Sequence, residues 1–326
     1  MTGTRIVTII CWIVSALVLT GLLIWLLTSV IFGGWGFFSD INIFGINIGG
    51  GIENLSGSFE ARGVRTESTA GVHSINVNWV AGEVTVTPYD GNEIKITEYA
   101  QRELRSNEQM SISTASGTLR IDFRERGRFR GSVPRKHLEV LVPHELSSGL
   151  TNLIVNSTSG SIDISGFDTT NLEASSVSGA VTLSNIVSGD IEASTTSGRI
   201  NSSTIRAGRF NANTVSGSIN ITEANVPNLN ISTISGAMTV SGELDRVDSS
   251  TISGSVDISS STVPGRIDSS SISGSVSVYI PNTGEITVSH SAVSGRFSSD
   301  IPVIMQSNAS YSFSSVSGST NIYVIS

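Results

Sequence analysis

The sequence is poor in cysteine, aromatic residues and charge. Of its 326 residues, one is cysteine, 6% are aromatic and 14% are charged. The one cysteine, Cys11, lies in a long hydrophobic segment, so the rest of the chain can form no disulfide, and a disulfide-stapled fold is excluded. The charged fraction is low for a soluble domain, and serine, threonine and asparagine take the place of charged residues.

Motifs that carry catalysis or hold a cofactor are also missing. The sequence contains no Gly-x-Ser-x-Gly, no phosphate loop, no dinucleotide fingerprint and no calcium-roll nonapeptide. Its four histidines show no metal-ligand spacing: His73, His137, His144 and His290. We therefore predict no catalytic residues, no metal site and no cofactor, and we predict that the protein is not an enzyme.

The dipeptide Ser-Gly recurs at a nearly constant period in the second half of the chain. The steps between copies are 19, 19, 19, 19, 18, 20, 21 and 23 residues. A period near 20 residues is typical of a stacked repeat in which each unit is one coil. The copies are Ser159-Gly160, Ser178-Gly179, Ser197-Gly198, Ser216-Gly217, Ser235-Gly236, Ser253-Gly254, Ser273-Gly274, Ser294-Gly295 and Ser317-Gly318.

Each repeat has the pattern of short strands joined by turns. Val181 and Leu183 alternate with Ala180 and Thr182, which is the period-2 pattern of a half-buried strand. Stacked repeats would bury these small apolar side chains in one narrow, continuous core. We predict an all-β fold in which residues 150–326 form a β-solenoid with coils of about 19 residues, a right-handed parallel β-helix.

We interpret the Ser-Gly dipeptide as a corner of the coil. Glycine tolerates backbone angles that are closed to other residues, and we expect the serine hydroxyl to bond the bent main chain. A catalytic serine is the alternative, which nine copies without a partner histidine disfavour. The residue before each dipeptide faces either the core, which we favour, or solvent, where it would form a stripe for binding or self-association. This column comprises Thr158, Val177, Thr196, Val215, Ile234, Ile252, Ile272, Val293 and Val316.

A second column, of polar residues, is expected on the outside of the solenoid. In register, Glu173 would lie about 4.8 Å from Glu192, the spacing of neighbouring strands. The column has three possible interpretations, of which we favour the first: a solvated row of polar residues, a divalent-cation site, or a pair of carboxylates for acid–base catalysis. It comprises Glu173, Glu192, Asn211, Asn230, Asp248, Asp268 and Thr287.

The N-terminal segment is predicted to anchor the chain in a membrane. Residues 6–32 contain no charge and exceed the roughly 20 residues that span a bilayer. Because Arg5 precedes the span and Asp40 is the first charge after it, the positive-inside rule predicts a cytoplasmic N-terminus. The predicted domains are a cytoplasmic tip and transmembrane helix at 1–33, a Gly-rich stalk at 34–66, an N-terminal β portion with a basic hairpin at 67–149, and the extracytoplasmic solenoid at 150–326.

Basic residues cluster ahead of the acidic solenoid. Residues 102–137 hold nine of the 19 lysines and arginines, whereas six basic and 13 acidic residues from 150 onward give a net charge of −7. The cluster is either a solvated hairpin or a contact for an anionic cell-wall polymer or lipid head groups. Nucleic acid is not an expected partner of an outward-facing domain. The candidate contact residues are Arg124, Arg126, Arg128, Arg130, Arg135 and Lys136.

The C-terminal coil is expected to be the open end of the rod. Residues 319–326 alternate apolar and polar side chains and contain no charge and no proline. A terminal coil exposes unpaired main chain, so this segment either folds over the last coil or pairs with another molecule. The second case predicts self-association through the C-terminal coil.

The order of these segments resembles a known family. Residues 75–86, with Trp79-Val-Ala-Gly82, precede Glu93-Ile-Lys-Ile-Thr-Glu98 and then the Ser-Gly repeats. Over residues 68–326 this order is similar to the bacterial putative-adhesin β-strand-repeat family, a domain of unknown function that in some members accompanies cell-envelope-stress systems. The resemblance implies an exported, envelope-associated, non-enzymatic domain, and it supplies no catalytic or binding residues. Ala81 stands where a serine often precedes this glycine.

The sequence therefore predicts a membrane-anchored, extracytoplasmic β-solenoid that acts as a non-enzymatic adhesin or scaffold, or as a binding protein related to envelope stress. The alternative is a β-helix enzyme that acts on polysaccharide with carboxylates from adjacent coils. A cleft with converging carboxylates and a basic residue would favour the enzyme, and a smooth polar rod favours the adhesin.

Overall fold

The computed structural model describes residues 57–124, 134–305 and 307–325, together with the backbone of 41–43, 46–48 and 128–129. No helix within these ranges has the length and hydropathy needed to cross a bilayer. The predicted membrane span at residues 6–32 lies outside the described residues.

Strands make up nearly all of the regular structure, and the described part of the chain includes one short helix, α1 (His144–Ser147). The strands are β1 (Ile41–Ile43), β2 (Ile46–Ile48), β3 (Glu60–Ser68), β4 (Ser74–Trp79), β5 (Val84–Tyr89), β6 (Glu93–Ala100), β7 (Ser111–Ala115), β8 (Thr118–Asp122), β9 (Arg128–Phe129), β10 (Lys136–Pro143), β11 (Leu150–Ser157), β12 (Ile162–Ser165), β13 (Asp168–Ser176), β14 (Val181–Thr195), β15 (Ile200–Ser216), β16 (Ile219–Ser235), β17 (Met238–Ser253), β18 (Val256–Ser260), β19 (Arg266–Ser273), β20 (Val276–Pro281), β21 (Thr287–Ser294), β22 (Phe297–Ser299), β23 (Ser310–Ser317) and β24 (Thr320–Ile325).

The chain divides into two units. The smaller unit comprises residues 1–51 and 126–132, and its described part is a three-stranded sheet in which β2 pairs with β1 antiparallel and with β9 parallel. The larger unit contains all the other strands in one 21-stranded sheet.

The larger unit is the predicted β-solenoid. Residues 19 positions apart are direct neighbours on parallel strands, so that Val181 pairs with Ile200 and Ile200 pairs with Ile219. All three side chains are at most 1% exposed and belong to one continuous core of small apolar residues. The repeat, the all-β class and the 19-residue coil are thus confirmed, while the right-handed winding stays a prediction.

Each coil contributes to two flat faces. Face A is formed by β8, β4, β11, β13, the second halves of β14–β17, and β19, β23 and β21. Face B is formed by β10, β5, β12, the first halves of β14–β17, and β18, β20, β24 and β22. The chain leaves face B for a short third side at Asn185, Thr204 and Glu223, whose φ angles of 54°, 55° and 53° are left-handed.

Glycine is required at the Ser-Gly corner between the faces because successive coils come close there. A β-carbon on Gly217 would lie 1.9 Å from the carbonyl oxygen of Gly198, which is the equivalent glycine one coil earlier. The same approach begins at Gly82, whose oxygen would lie 1.7 Å from a β-carbon on Gly160. The corner interpretation is therefore correct, and its cause is close contact between coils.

The hydroxyl that bonds the bent main chain belongs to a different residue from the one predicted. The serine of each dipeptide is exposed, and at the corners from Gly160 to Gly236 the bonding hydroxyl stands three residues before the glycine, on a buried side chain. The equivalent hydroxyls of Thr251 and Ser271 make no hydrogen bond within the described part of the chain. Thr195 accepts a hydrogen bond from the amide of Gly198 at 3.0 Å and donates one to the carbonyl of Gly179, a coil earlier, at 3.1 Å. Ser176 bonds Gly179 and Gly160 in the same way.

Chain order and stacking order diverge at both ends of the solenoid. At the first end, β8 and β10 stack outside β4 and β5. Beyond them the pairing becomes antiparallel, since β7 pairs with β8, β6 with β10, and β3 with β6. These antiparallel strands cap this end of the stack.

At the other end, the C-terminal coil is inserted between two earlier coils. Strand β23 lies between β19 and β21, and β24 lies between β20 and β22. The expectation that residues 319–326 form the open end is therefore wrong. Ile322, on β24, is 1% exposed because strands cover it on both sides.

The close approach of the coils predicts a strong position dependence of glycine replacement. Gly217→Ala should lower the free energy of unfolding by about 1–3 kcal/mol, because the main chain must shift to admit the methyl group. Gly149→Ala is the matched control, since a β-carbon there meets nothing within 4 Å. Thermal and urea unfolding measure both variants, and equal stabilities would show that the coils do not meet at Gly217.

Candidate functional site

Face A carries an exposed stripe of β-branched side chains. These are the residues that precede each Ser-Gly dipeptide, and the structure corrects the orientation that the sequence favoured. Val177 is 43% exposed, Ile272 is 39% exposed and Val293 is 76% exposed, and the other six members are half-buried, so the column lies at the surface and not in the core. In stacking order, the stripe comprises Thr158, Val177, Thr196, Val215, Ile234, Ile252, Ile272, Val316 and Val293.

A hydroxyl and amide column runs beside the stripe. Ser175 and Ser194 share a hydrogen bond of 2.8 Å between their hydroxyls, and Ser232 donates to the side-chain oxygen of Asn213 at 2.6 Å. Because these groups bond along the rod axis, they hold the outer surface of face A in register from coil to coil.

The predicted carboxylate column also lies on face A. Glu173 pairs with Glu192 on the next coil, and Asp248 pairs with Asp268, as the period predicts. Beyond Asp268 the column continues with Ser312 and then Ser289. The prediction for Thr287 is wrong, because Thr287 pairs with Ser310 and lies two positions away, in the column of Arg266.

A shallow depression contains the first carboxylate pair together with a basic residue. Burial, followed by the charge of Glu192, raises the pKa of Glu173 above its ordinary value. Arg209 lies 3.7 Å from Asp190 on the neighbouring coil, and both groups line the same depression. Asp190 and Arg209 are both more than half exposed, so they face solvent rather than an enclosed cleft.

Asp268, of the second carboxylate pair, lines another depression together with Arg246 and Arg266. The guanidinium of Arg266 is bound to Asp268 on its own strand. Within the described ranges, no three histidine, cysteine or carboxylate side chains converge on a point where a metal ion could bind.

The predicted basic contact surface is partly wrong. Lys136 is 0% exposed and Arg124 is 3% exposed, so neither can contact a polymer or a head group. Arg135 is exposed and remains available. The side chains of Arg126, Arg128 and Arg130 lie outside the described residues.

Lys136 instead holds the capped end of the solenoid together. Its Nζ donates to a carboxylate oxygen of Glu98 at 2.8 Å and to the carbonyl oxygen of Glu108 at 2.6 Å. It also lies 4.0 Å from the centre of the Phe123 ring and 5.0 Å from that of Trp79. Burial lowers the pKa of Lys136 to about 8, and the attraction of the Glu98 carboxylate opposes this shift.

A signal for this burial is present in the sequence. Lys136 has the same strand parity as Leu138, Val140 and Val142, all of which point into the core. The partners could not be predicted from that pattern, because Glu98 and Phe123 are distant from Lys136 in the sequence. The role of Trp79 was missed for the same reason: its indole nitrogen donates to the carbonyl oxygen of Lys136 at 2.7 Å.

Comparisons with known proteins agree with this architecture. The family described as Toastrack DUF4097 matches residues 72–324. The crystal structure of a putative adhesin from Parabacteroides distasonis aligns with a TM-score of 0.50 and 11% identity, over 82% of this chain and 98% of its own. A putative lipid binding protein from the same species aligns with a TM-score of 0.42 and 17% identity, over 80% of this chain and 96% of its own. No curated protein matches the sequence.

The buried position of Lys136 predicts a structural phenotype for its removal. Lys136→Met should cost about 3–5 kcal/mol of unfolding free energy, because it leaves the Glu98 carboxylate buried without its counter-charge. Arg135→Gln, at the exposed neighbouring position, should change stability by less than about 0.5 kcal/mol. Urea unfolding of both variants is the measurement. A Lys136→Met protein as stable as the parent would contradict the buried pair.

Proposed function

The chain belongs to the Toastrack DUF4097 family, and from that premise we propose that it is a non-enzymatic, adhesin-like protein that binds an extended polysaccharide of the cell envelope along face A. The observation that carries the proposal is the exposed β-branched stripe. A strip of β-branched side chains, seven of the nine apolar, with polar columns beside it, is typical of a binding surface, since its burial releases ordered water.

The geometry of face A supports an extended partner. Equivalent side chains repeat at about 4.8 Å along the rod, so a linear chain with a regular repeat meets the same groups at every step. The apolar stripe offers contact with the carbon faces of sugar rings, and the Ser175–Ser194 column offers hydroxyl groups beside it. The net charge of −7 from residue 150 onward disfavours a polyanionic wall polymer on this face.

The proposal includes anchoring of the protein in the cell membrane by residues 6–32, with the N-terminus in the cytoplasm and the solenoid outside. Its support is the charge-free length of this segment and Arg5 before it. Protease added to intact cells should then digest the solenoid.

The proposal also includes contact with an anionic wall polymer or lipid head groups through Arg135 together with Arg126, Arg128 and Arg130. A role in envelope stress rests on the family resemblance alone.

A polysaccharide-active enzyme is the second candidate. The raised pKa of Glu173 beside Glu192, with Arg209 in the same depression, supports it. Binding is preferred because the Asp190–Arg209 pair faces open solvent, where a sugar would not be shielded from water. If hydrolysis of a wall glycan were lost in Glu173→Gln while binding persisted, the enzyme would be the correct assignment.

Binding of the full-length, detergent-solubilised protein to peptidoglycan sacculi tests the proposal. The key variant is Val215→Thr/Ile234→Thr/Ile252→Thr, which keeps β-branching and places hydroxyls in the middle of the stripe. Affinity for sacculi stripped of anionic polymers should fall at least about tenfold, equivalent to about 1.4 kcal/mol.

The matched control is Asn201→Thr/Asn220→Thr, which changes outward positions of face B and should bind like the parent. A comparison with sacculi that retain their anionic polymers distinguishes binding by face A from binding by the arginines. Binding by the arginines would require those polymers, whereas binding by face A would not. Equal binding by the stripe variant and the control would rule out face A as the binding surface.

A further inference from the structure

A stacked pair of tyrosine rings stands on the outer surface of face B. Tyr279 on β20 and Tyr323 on β24 are direct neighbours in the sheet, and their ring centres lie 5.0 Å apart with an angle of 21° between the ring planes. Tyr323 is 36% exposed and Tyr279 is half-buried. Because neighbouring strands follow one another along the rod, the two rings stack along the rod axis.

The same outward column carries short hydroxyl side chains in earlier coils. Ser259 on β18 is the neighbour of Tyr279 on the side away from Tyr323, and Ser241 on β17 precedes Ser259. A serine side chain ends well below the level of a tyrosine ring, so the face of the Tyr279 ring that points along the column is uncovered above Ser259. The surface here is an aromatic wall beside a hydroxyl floor.

An unpaired carboxylate borders this place. Asp257 lies two residues before Ser259 on β18, so the two side chains share the outer surface of face B, and both are half-buried. Within the described ranges, the Asp257 carboxylate takes part in no hydrogen bond or ion pair. Its oxygens are therefore available as acceptors beside the Ser259 hydroxyl, which both donates and accepts.

The place above Ser259 has the dimensions and the chemistry of a site for one sugar ring. A group in van der Waals contact with the Tyr279 ring lies about 3.5–4.0 Å from it, and one coil occupies about 4.8 Å. A pyranose packs the C–H groups of its face against an aromatic ring, while hydroxyls around its rim donate to Asp257 and bond Ser259. Among the described residues, aromatic surface lies on one side of this place, unlike the cage of rings that quaternary ammonium ligands prefer.

We propose that Tyr279, Asp257 and Ser259 form a binding site on face B for one pyranose unit of a neutral polysaccharide. Tyr323 supports this site by packing against the other face of the Tyr279 ring. The site is separate from the stripe, so it does not depend on the function proposed for face A. With both surfaces occupied, one rod holds two glycan strands on different faces.

Saturation-transfer difference NMR of the full-length protein in a polyoxyethylene detergent tests the site, with chitotetraose as the probe. The aromatic protons of the parent should transfer saturation to the ring protons of the sugar. Tyr279→Ser installs the residue that this column carries at Ser241 and Ser259, and it should weaken the apparent affinity at least about tenfold. Tyr279→Phe keeps the ring and should bind like the parent.

The floor and the carboxylate are tested separately. Ser259→Tyr fills the place of the sugar with a third stacked ring and should abolish binding, and Asp257→Asn should weaken it. Asp163→Asn is the matched control, in the column of Asp257 but five coils away, and should bind like the parent.

Near-parental melting temperatures establish that each variant is folded. A parent that does not bind chitotetraose at millimolar concentration overturns the proposal, as does a Tyr279→Ser variant of unchanged affinity. Binding of choline chloride in place of the sugar would also overturn it, because the wall would then recognise a cation.

Discussion

The close stacking of glycines at the Ser-Gly corner, with buried hydroxyls beside them, is the contact on which the rest of the solenoid depends. Ser176 and Thr195 each join their own coil to the one before through the main chain of two stacked glycines. A side chain on either glycine would collide with a carbonyl oxygen of the neighbouring coil. The corner therefore fixes the register of both faces at once, because no coil can slide without breaking bonds inside the turn.

Fixed register turns a repetitive sequence into a regular surface. Identical positions of successive coils align into straight columns, with apolar residues such as Ile234 beside hydroxyls and carboxylates on face A. The same regularity creates a problem at the ends, where the stack would otherwise expose main chain and core. At the first end, antiparallel strands cover the stack around the buried Lys136–Glu98 pair. At the other end, the C-terminal strand β24 is inserted between earlier strands, and β21 becomes the outermost strand of face A.

The coil length, the parallel register and the Glu173–Glu192 pairing could be predicted from the sequence, because each follows directly from the 19-residue period. The orientation of the stripe could not, because strand parity is ambiguous across a corner, and the buried hydroxyl of Thr195 reverses the expected inside and outside. The burial of Lys136 depended on partners distant in sequence. The insertion of β24 could not be predicted either, since the order of strands along the chain does not determine their order in the stack.

The most direct test of this account compares Thr195→Val with Thr196→Val in equilibrium urea unfolding. Both substitutions replace a hydroxyl by a methyl group of the same shape, one inside the corner and one on the adjacent surface position. The buried replacement leaves the Gly198 amide and the Gly179 carbonyl without their side-chain partner, so it should cost about 1–3 kcal/mol, while the surface replacement should be nearly neutral. Equal stability of the two variants would contradict the claim that the corner hydroxyls hold the coils in register.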